Sequence, residues 1–236
     1  MDSQLNRYSI ITEKNPREIV LLRGSGCKWR RCRFCNYHLD YSKDEEENYQ
    51  LNCLELDLVT GVYHRLEVIN SGTFLDLDEA TIRKIETVCK EKGITDLHLE
   101  CHWMHKEEIQ AYRSRFEVLG VTVHIKSGVE TFDIPMREEV FVKGFGNATP
   151  SEIATYFDDV CLLQGVVGQT LESMESDIET GLRYFDRVCV NIMVENGMPV
   201  KPDPQLIREF CQTLYPKYKK NERVDILMEN TDFGVG

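Results

Sequence analysis

No stretch of this 236-residue chain is apolar for long enough to cross a bilayer: its longest aliphatic runs are about four residues, against the roughly twenty a membrane helix needs. The opening MDSQLNRYSIITEKNPRE also lacks the apolar centre of a signal peptide, which predicts a cytoplasmic protein with no membrane partner. Positive charge is scarce. Twenty-eight Lys and Arg face forty Asp and Glu, a formal net charge of -12, so the net field repels phosphate backbones and nucleic acid is not an expected partner. There is no linker rich in Pro, Gly or Ser and no repeat of fixed period, which predicts one domain over residues 1–236. An even set of cysteines is missing too. Nine cysteines without an export signal argue against a disulfide framework.

What is present is alternation. Strand patterns are predicted over Glu18–Leu22, Leu66–Asn70, Asp96–Glu100, Val121–Lys126, Val160–Leu163, Val188–Val194 and Val224–Met228. Helical spacing is predicted over Asp78–Glu91, Lys106–Leu119, Leu171–Phe185 and Pro204–Leu214, with weaker signals at Asn48–Val59 and Ser151–Phe157. Some six strand–helix alternations imply an α/β fold with a parallel sheet, either open or curled into a full or partial barrel. Function then belongs on the rim where strands end. The unusual sequence all falls there: GSGCKWRRCRFCNYH, NSGTFLD, ECHW, SGVETFD, QGVVGQT and ENGMP.

Alternation within strands carries a second message. His98, Glu100 and His102 share one face opposite Leu97 and Leu99. Thr122, His124 and Lys126 oppose Val121, Val123 and Ile125, and Cys189, Asn191 and Met193 oppose Val188, Val190 and Ile192. Burying several ionisable groups without partners costs several kcal/mol each. The polar faces therefore suit a lined substrate cavity, or else hold paired structural residues.

Cys27, Cys32 and Cys35 form a C-x4-C-x2-C array just after the first predicted strand, while the other six cysteines are scattered and read as small buried hydrophobes. Three thiolates from one loop suit a soft metal centre. Spacing leaves two fillings open: zinc completed by His38, or an iron–sulfur cluster on three cysteines with one iron open to an exogenous ligand. Placement at a strand end in a long α/β chain favours the cluster. Lys28, Arg30, Arg31 and Arg33 make the loop basic, which suits a solvated face, an acidic electron donor or the charge of a cluster.

This loop resembles that of the radical S-adenosylmethionine (SAM) enzymes, with Phe34 as the aromatic before the last cysteine and one extra residue in the first gap. Asn70–Phe74 (NSGTF) resembles the family's motif for the methionyl amino group, Gly128–Glu130 (GVE) its ribose motif, and Gly165–Thr170 (GVVGQT) its segment beside the adenine. The resemblance implies a partial (β/α)6 barrel and a [4Fe-4S] cluster on Cys27, Cys32 and Cys35. It also implies SAM held by Phe34, Asn70, Ser71, Gly72, Thr73, Lys126, Glu130, Gly165, Val167, Asn191 and Met193. The chemistry implied is cleavage of SAM to a 5′-deoxyadenosyl radical that takes hydrogen from a substrate, with an acidic donor such as flavodoxin or ferredoxin supplying the electron.

EVINSGTF, ECHW, KSGVETFD, CLLQGVVGQT and NTDFGVG together resemble the queuine lyase subgroup. That implies a small-molecule substrate, queuine, broken at the C–N bond of its substituent to give 7-aminomethyl-7-deazaguanine for queuosine salvage. A deazaguanine edge carries adjacent donors that one carboxylate accepts, which makes Glu100, Glu229 and Asp232 substrate candidates. His102 is a further substrate contact, and His102 or Lys126 is the expected proton donor to the departing nitrogen. A radical SAM enzyme acting on another small metabolite or nucleobase, and a zinc-stabilised binding protein without catalysis, are the alternatives. Oligomeric state is open.

Overall fold

The computed structural model describes residues 6 to 228, apart from the side chain of His38. Its elements follow in the order β1 (Tyr8–Ile11), β2 (Arg17–Leu22), α1 (Glu45–Leu56), β3 (Arg65–Asn70), α2 (Glu79–Lys92), β4 (Asp96–Glu100), α3 (Ile109–Glu117) and β5 (Thr122–Glu130). Then come α4 (Pro150–Ile153), β6 (Asp159–Gln164), α5 (Leu171–Tyr184), β7 (Arg187–Ile192), α6 (Pro204–Gln212), α7 (Leu214–Tyr218) and β8 (Val224–Leu227). The eight strands lie in the sheet in sequence order.

The described residues form two compact units, 6–30 with 37–125, and 31–36 with 126–228. In the first, β2 pairs with β3 and β3 with β4, all parallel, and β1 adds an antiparallel edge to β2. The sheet is therefore mixed rather than purely parallel. The four-residue YSII of β1 is too short to show a period, so the sequence pattern passes over it. Helix α2 shows why the longer elements were legible: Asp78 accepts from Thr81 N, Gly93 closes the far end at φ 67°, and Ile82, Ile85 and Val88 face the core. The helix expected over 106–119 is broken. Trp103–Glu108 is a 3-10 turn whose His105 departs from helical dihedrals, and only Ile109–Glu117 is α-helical.

In the second unit β5 pairs with β6, β6 with β7 and β7 with β8, all parallel. β5 runs to Glu130, four residues past its expected end, so GVE lies within the strand rather than in the loop after it. A shift of register between Gly128 and Glu130 re-aims the strand end. Helix α5 is capped by Thr170, which accepts from Ser173 N, and buries Met174, Ile178 and Gly181.

The polar strand faces divide by level. Near the strand starts they are paired structural groups: Arg17 Nε donates to Glu67 Oε2 at 2.6 Å, and Arg187 reaches Asp159 at 3.2 Å and Asp225 at 3.4 Å. His98 stacks on His124 at 4.5 Å, and His124 Nε2 lies 3.2 Å from Asp96. The buried charges of Arg17 and Glu67, and of Arg187 with Asp159 and Asp225, are paired with one another, which leaves the strand ends for chemistry.

Candidate active site

In the first unit the turn after β3 builds a cradle. Asn70 Nδ2 donates to Thr73 O at 2.9 Å, and Asp76 Oδ2 accepts from Thr73 N at 3.0 Å. A Cβ on Gly72 would stand 2.3 Å from Asp76 Oδ2 and 3.1 Å from Cys27 Cα, so only glycine lets the turn approach the cysteine loop. The same turn anchors that loop, because Ser25 N donates to Asp76 O at 2.8 Å. Asn70 Oδ1 and Asp76 Oδ1 are buried with no hydrogen-bond partner among the described residues. Burial pushes the Asp76 carboxyl above its ordinary pKa, against the hydrogen bond from Thr73 and the charges of Lys28, His105 and Arg30. Ser71 Oγ lies 3.4 Å from Asp40.

Glu100 ends β4, and His102 follows at the start of the 3-10 turn. Its Nδ1 accepts from Met104 N at 3.2 Å, which leaves the ring proton of the neutral imidazole on Nε2. Trp29 of the cysteine loop stacks on this ring at 5.2 Å. The ring is thus fixed in both plane and tautomer.

In the second unit, the loop's other half is held by backbone. Arg33 N donates to Phe141 O and Val200 N to Arg33 O, each at 3.1 Å, while Asn196 Nδ2 donates to Phe34 O at 2.8 Å. Phe34 packs with Phe141, Leu163, Val166, Met193 and Val200, and Cys32 and Cys35 lie against this cluster. Glu130, at the end of β5, takes φ 69°, a conformation that disfavours any residue bearing a Cβ. Its Oε1 accepts from buried Lys143 Nζ at 3.1 Å. Burial alone would lower the lysine pKa, yet the charges of Glu130 and Cys32, and then Cys35, hold it above its ordinary value.

The segment after β6 forms a tight turn. Gly165 takes φ 79°, and a Cβ there would stand 2.5 Å from Ile207 Cγ1. Gln169 braces the turn, accepting from Val166 N and donating to Leu163 O, each at 2.9 Å. Val167 is exposed, its N–H given to Lys201 O. Asn191 lies on β7, its Oδ1 3.9 Å from Cys189 Sγ, and Met193 N donates to Gln164 O at 2.8 Å just beyond that strand. Lys126 is buried at the level where β6 begins, in register with Asp159 and four residues before Glu130. Glu229 and Asp232 lie outside the described residues.

Sequence reasoning missed Asp76, Lys143 and Asp177. Asp177 on α5 accepts from Phe132 N at 2.8 Å and so holds the backbone just past Glu130. No motif marks these three. Asp76 alone left a trace, as the last residue of NSGTFLD.

Among the described residues, no three His, Cys, Asp or Glu side chains are gathered as a metal-holding set. The donor chemistry of the loop nonetheless fits an iron–sulfur cluster. Cys27, Cys32 and Cys35 are partly exposed and outside any disulfide, whereas Cys89 and Cys101 are buried and their thiols pushed up to about 12 by that burial. The unpartnered acceptors Asn70 Oδ1 and Asp76 Oδ1 fit an ammonium group such as the methionyl end of SAM.

No protein-family model and no curated protein matches this sequence. Among solved structures, it is similar to queuine lyase from Clostridium spiroforme bound to SAM and queuine, at 40% identity over 99% of this chain and 100% of that one, with a TM-score of 0.93. It is also similar to methylornithine synthase, at 15% identity over 88% of this chain and 63% of that one, with a TM-score of 0.52, a likeness of fold alone. The alternation left an open sheet or a full or partial barrel; the partial barrel of the radical SAM type that the resemblance implies is the fold these likenesses show.

Proposed function

The chain belongs to the queuine lyase family of radical SAM enzymes, and from that premise we propose that it breaks the C–N bond of the queuine substituent, releasing 7-aminomethyl-7-deazaguanine for queuosine salvage. The observation that carries this reading is the end-to-end likeness to a queuine lyase whose structure holds both SAM and queuine. Its cofactors are a [4Fe-4S] cluster and SAM. Bound together, they supply the one-electron cleavage that yields a 5′-deoxyadenosyl radical.

The protein's own residues have separate tasks. Cys27, Cys32 and Cys35 hold the cluster, with Phe34 packed beside the last of them. Asn70 to Thr73, backed by Asp76, receive the methionyl ammonium, and Glu130 accepts from the ribose hydroxyls. Gly165 and Val167 provide the turn that flanks the adenine, with Asn191, Met193 and Lys126 completing the pocket. His102, with its proton on Nε2, donates to the departing nitrogen. Glu100, Glu229 or Asp232 accepts from the guanine-like edge, where each unpaired donor costs about 1 to 3 kcal/mol. The electron comes from an acidic protein such as flavodoxin or ferredoxin. One domain, working in the cytoplasm, accommodates all of this; no described helix is long and apolar enough to cross a membrane.

The test is anaerobic incubation of reconstituted protein with SAM, a reductant and queuine. The expected products are 5′-deoxyadenosine and 7-aminomethyl-7-deazaguanine. Protein that consumes SAM but leaves queuine intact would overturn the substrate assignment. Asp232→Asn or Glu229→Gln is expected to raise the queuine KM about tenfold while uncoupled SAM cleavage persists.

A further inference from the structure

Between the ribose-motif carboxylate and the second half of the cysteine loop stands one buried cation that no motif marks. Lys143 Nζ is 3.1 Å from Glu130 Oε1 and 5.5 Å from the centre of the Phe34 ring, over its face. Both charged side chains are almost wholly buried, at 7% and 8% exposure. Phe34 belongs to the apolar cluster against which Cys32 and Cys35 pack. The pair is held under backbone strain at both ends. Glu130 has φ 69°, and Val142, immediately before the lysine, has φ 58°, a conformation a β-branched residue rarely adopts. Gly128 makes the room, since a Cβ there would stand 2.5 Å from Glu130 Oε1 and 3.2 Å from Lys143 Nζ.

Two strained residues and a glycine for one ion pair exceed what stability requires, because a buried pair replaced by apolar side chains is often neutral or stabilising. Strain of this kind persists where the surroundings over-determine it, and it gathers at functional sites. We infer that Lys143 is a positioning residue, a fixed positive charge that orients Glu130 for the SAM ribose and raises the reduction potential of the cluster held by Cys32 and Cys35. This rests on the radical SAM reading above. A cation beside electron-rich thiolates favours the reduced, more negative cluster, and removing it disfavours that state.

The test uses reconstituted protein and three variants: Glu130→Gln, Lys143→Met, and the double variant, which leaves no uncompensated charge buried and guards against misfolding. Iron and sulfide are measured first, then the midpoint potential by redox titration, then SAM affinity by calorimetry. Lys143→Met is expected to keep the cluster, shift the potential negative and weaken SAM at least tenfold; the double variant, in which loss of Glu130 opposes loss of the lysine, is expected to keep the cluster with a smaller negative shift. Glu130→Gln, which leaves the lysine uncompensated, is expected to shift the potential the opposite way. An ion pair that served stability alone would move melting temperature without these opposed shifts. Wild-type potential in both Lys143→Met and the double variant, with the SAM affinity of Lys143→Met unchanged, would overturn the inference while leaving the radical SAM reading intact. A wild-type protein that binds neither cluster nor SAM would take both down.

Discussion

Residues of one type are separated here by their surroundings. Of the nine cysteines, three combine partial exposure with a shared loop, and Cys89 and Cys101 are locked as neutral thiols by burial. Alanine at Cys27, Cys32 or Cys35 is expected to abolish the visible absorbance of reconstituted protein, and alanine at Cys53, Cys161 or Cys211 to preserve it. Loss of absorbance in the second group would mean the ligand set is wrong. The loop was legible because three thiols in nine residues are conspicuous in any context. Asp177 was not, because it works through Phe132 and carries no signature of its own. Burial raises its carboxyl from 3.8 to about 6, partly opposed by the Phe132 N–H and Thr131. Between those values the native state holds more protons than the unfolded one, so stability falls as pH rises from about 4 to 6. The ionised group then costs about 3 kcal/mol at pH 7. Asp177→Asn keeps the acceptor for Phe132 N but cannot ionise. In urea unfolding of cluster-free protein it is expected to gain about 2 kcal/mol on wild type between pH 4 and pH 7. A constant difference across that range would exclude the buried carboxylate as the cause.

Whole elements were readable where a period ran for several turns and was closed by a cap, as in α2 and α5. They were misread where the backbone departs from regularity. Nothing in GVE announces that β5 continues through it with a change of register, since the deciding feature is a positive φ at Glu130 rather than a composition. The turn after β3 is the complementary case. NSGTF points to the right place, but its fit depends on a contact with the cysteine loop that no local pattern encodes. Gly72→Ala tests that fit. Its Cβ would displace the Asp76 carboxylate from Thr73 N and press on Cys27. The expected result is a SAM dissociation constant raised at least tenfold, with a stability cost of about 1 to 3 kcal/mol from overpacking. Calorimetric titration and a melting curve separate the two effects. Undiminished SAM affinity would show that the turn does not contact the cofactor.

At the scale of the whole molecule the charge of -12 bears on reduction, because the acidic electron donor proposed above would be repelled at long range. The cysteine loop opposes that field. Lys28, Arg30, Arg31 and Arg33 are all exposed. Arg30 lies over the Tyr41 ring at 4.5 Å, and Lys43 stands 5.8 Å from the centre of the same ring. Local cations on an acidic surface steer an acidic partner by raising its association rate, an effect of about ten- to a thousandfold that salt removes. Replacing Lys28 and Arg30 by Glu is therefore expected to slow turnover supported by flavodoxin at least tenfold at low ionic strength. The deficit should shrink as salt rises. Turnover supported by dithionite, a small reductant that needs no docking face, should change little. Measuring both reductants over the same salt series decides the matter: equal losses with each would assign these residues to the cluster or its cofactor, and no loss with either would leave the basic loop a solvated face.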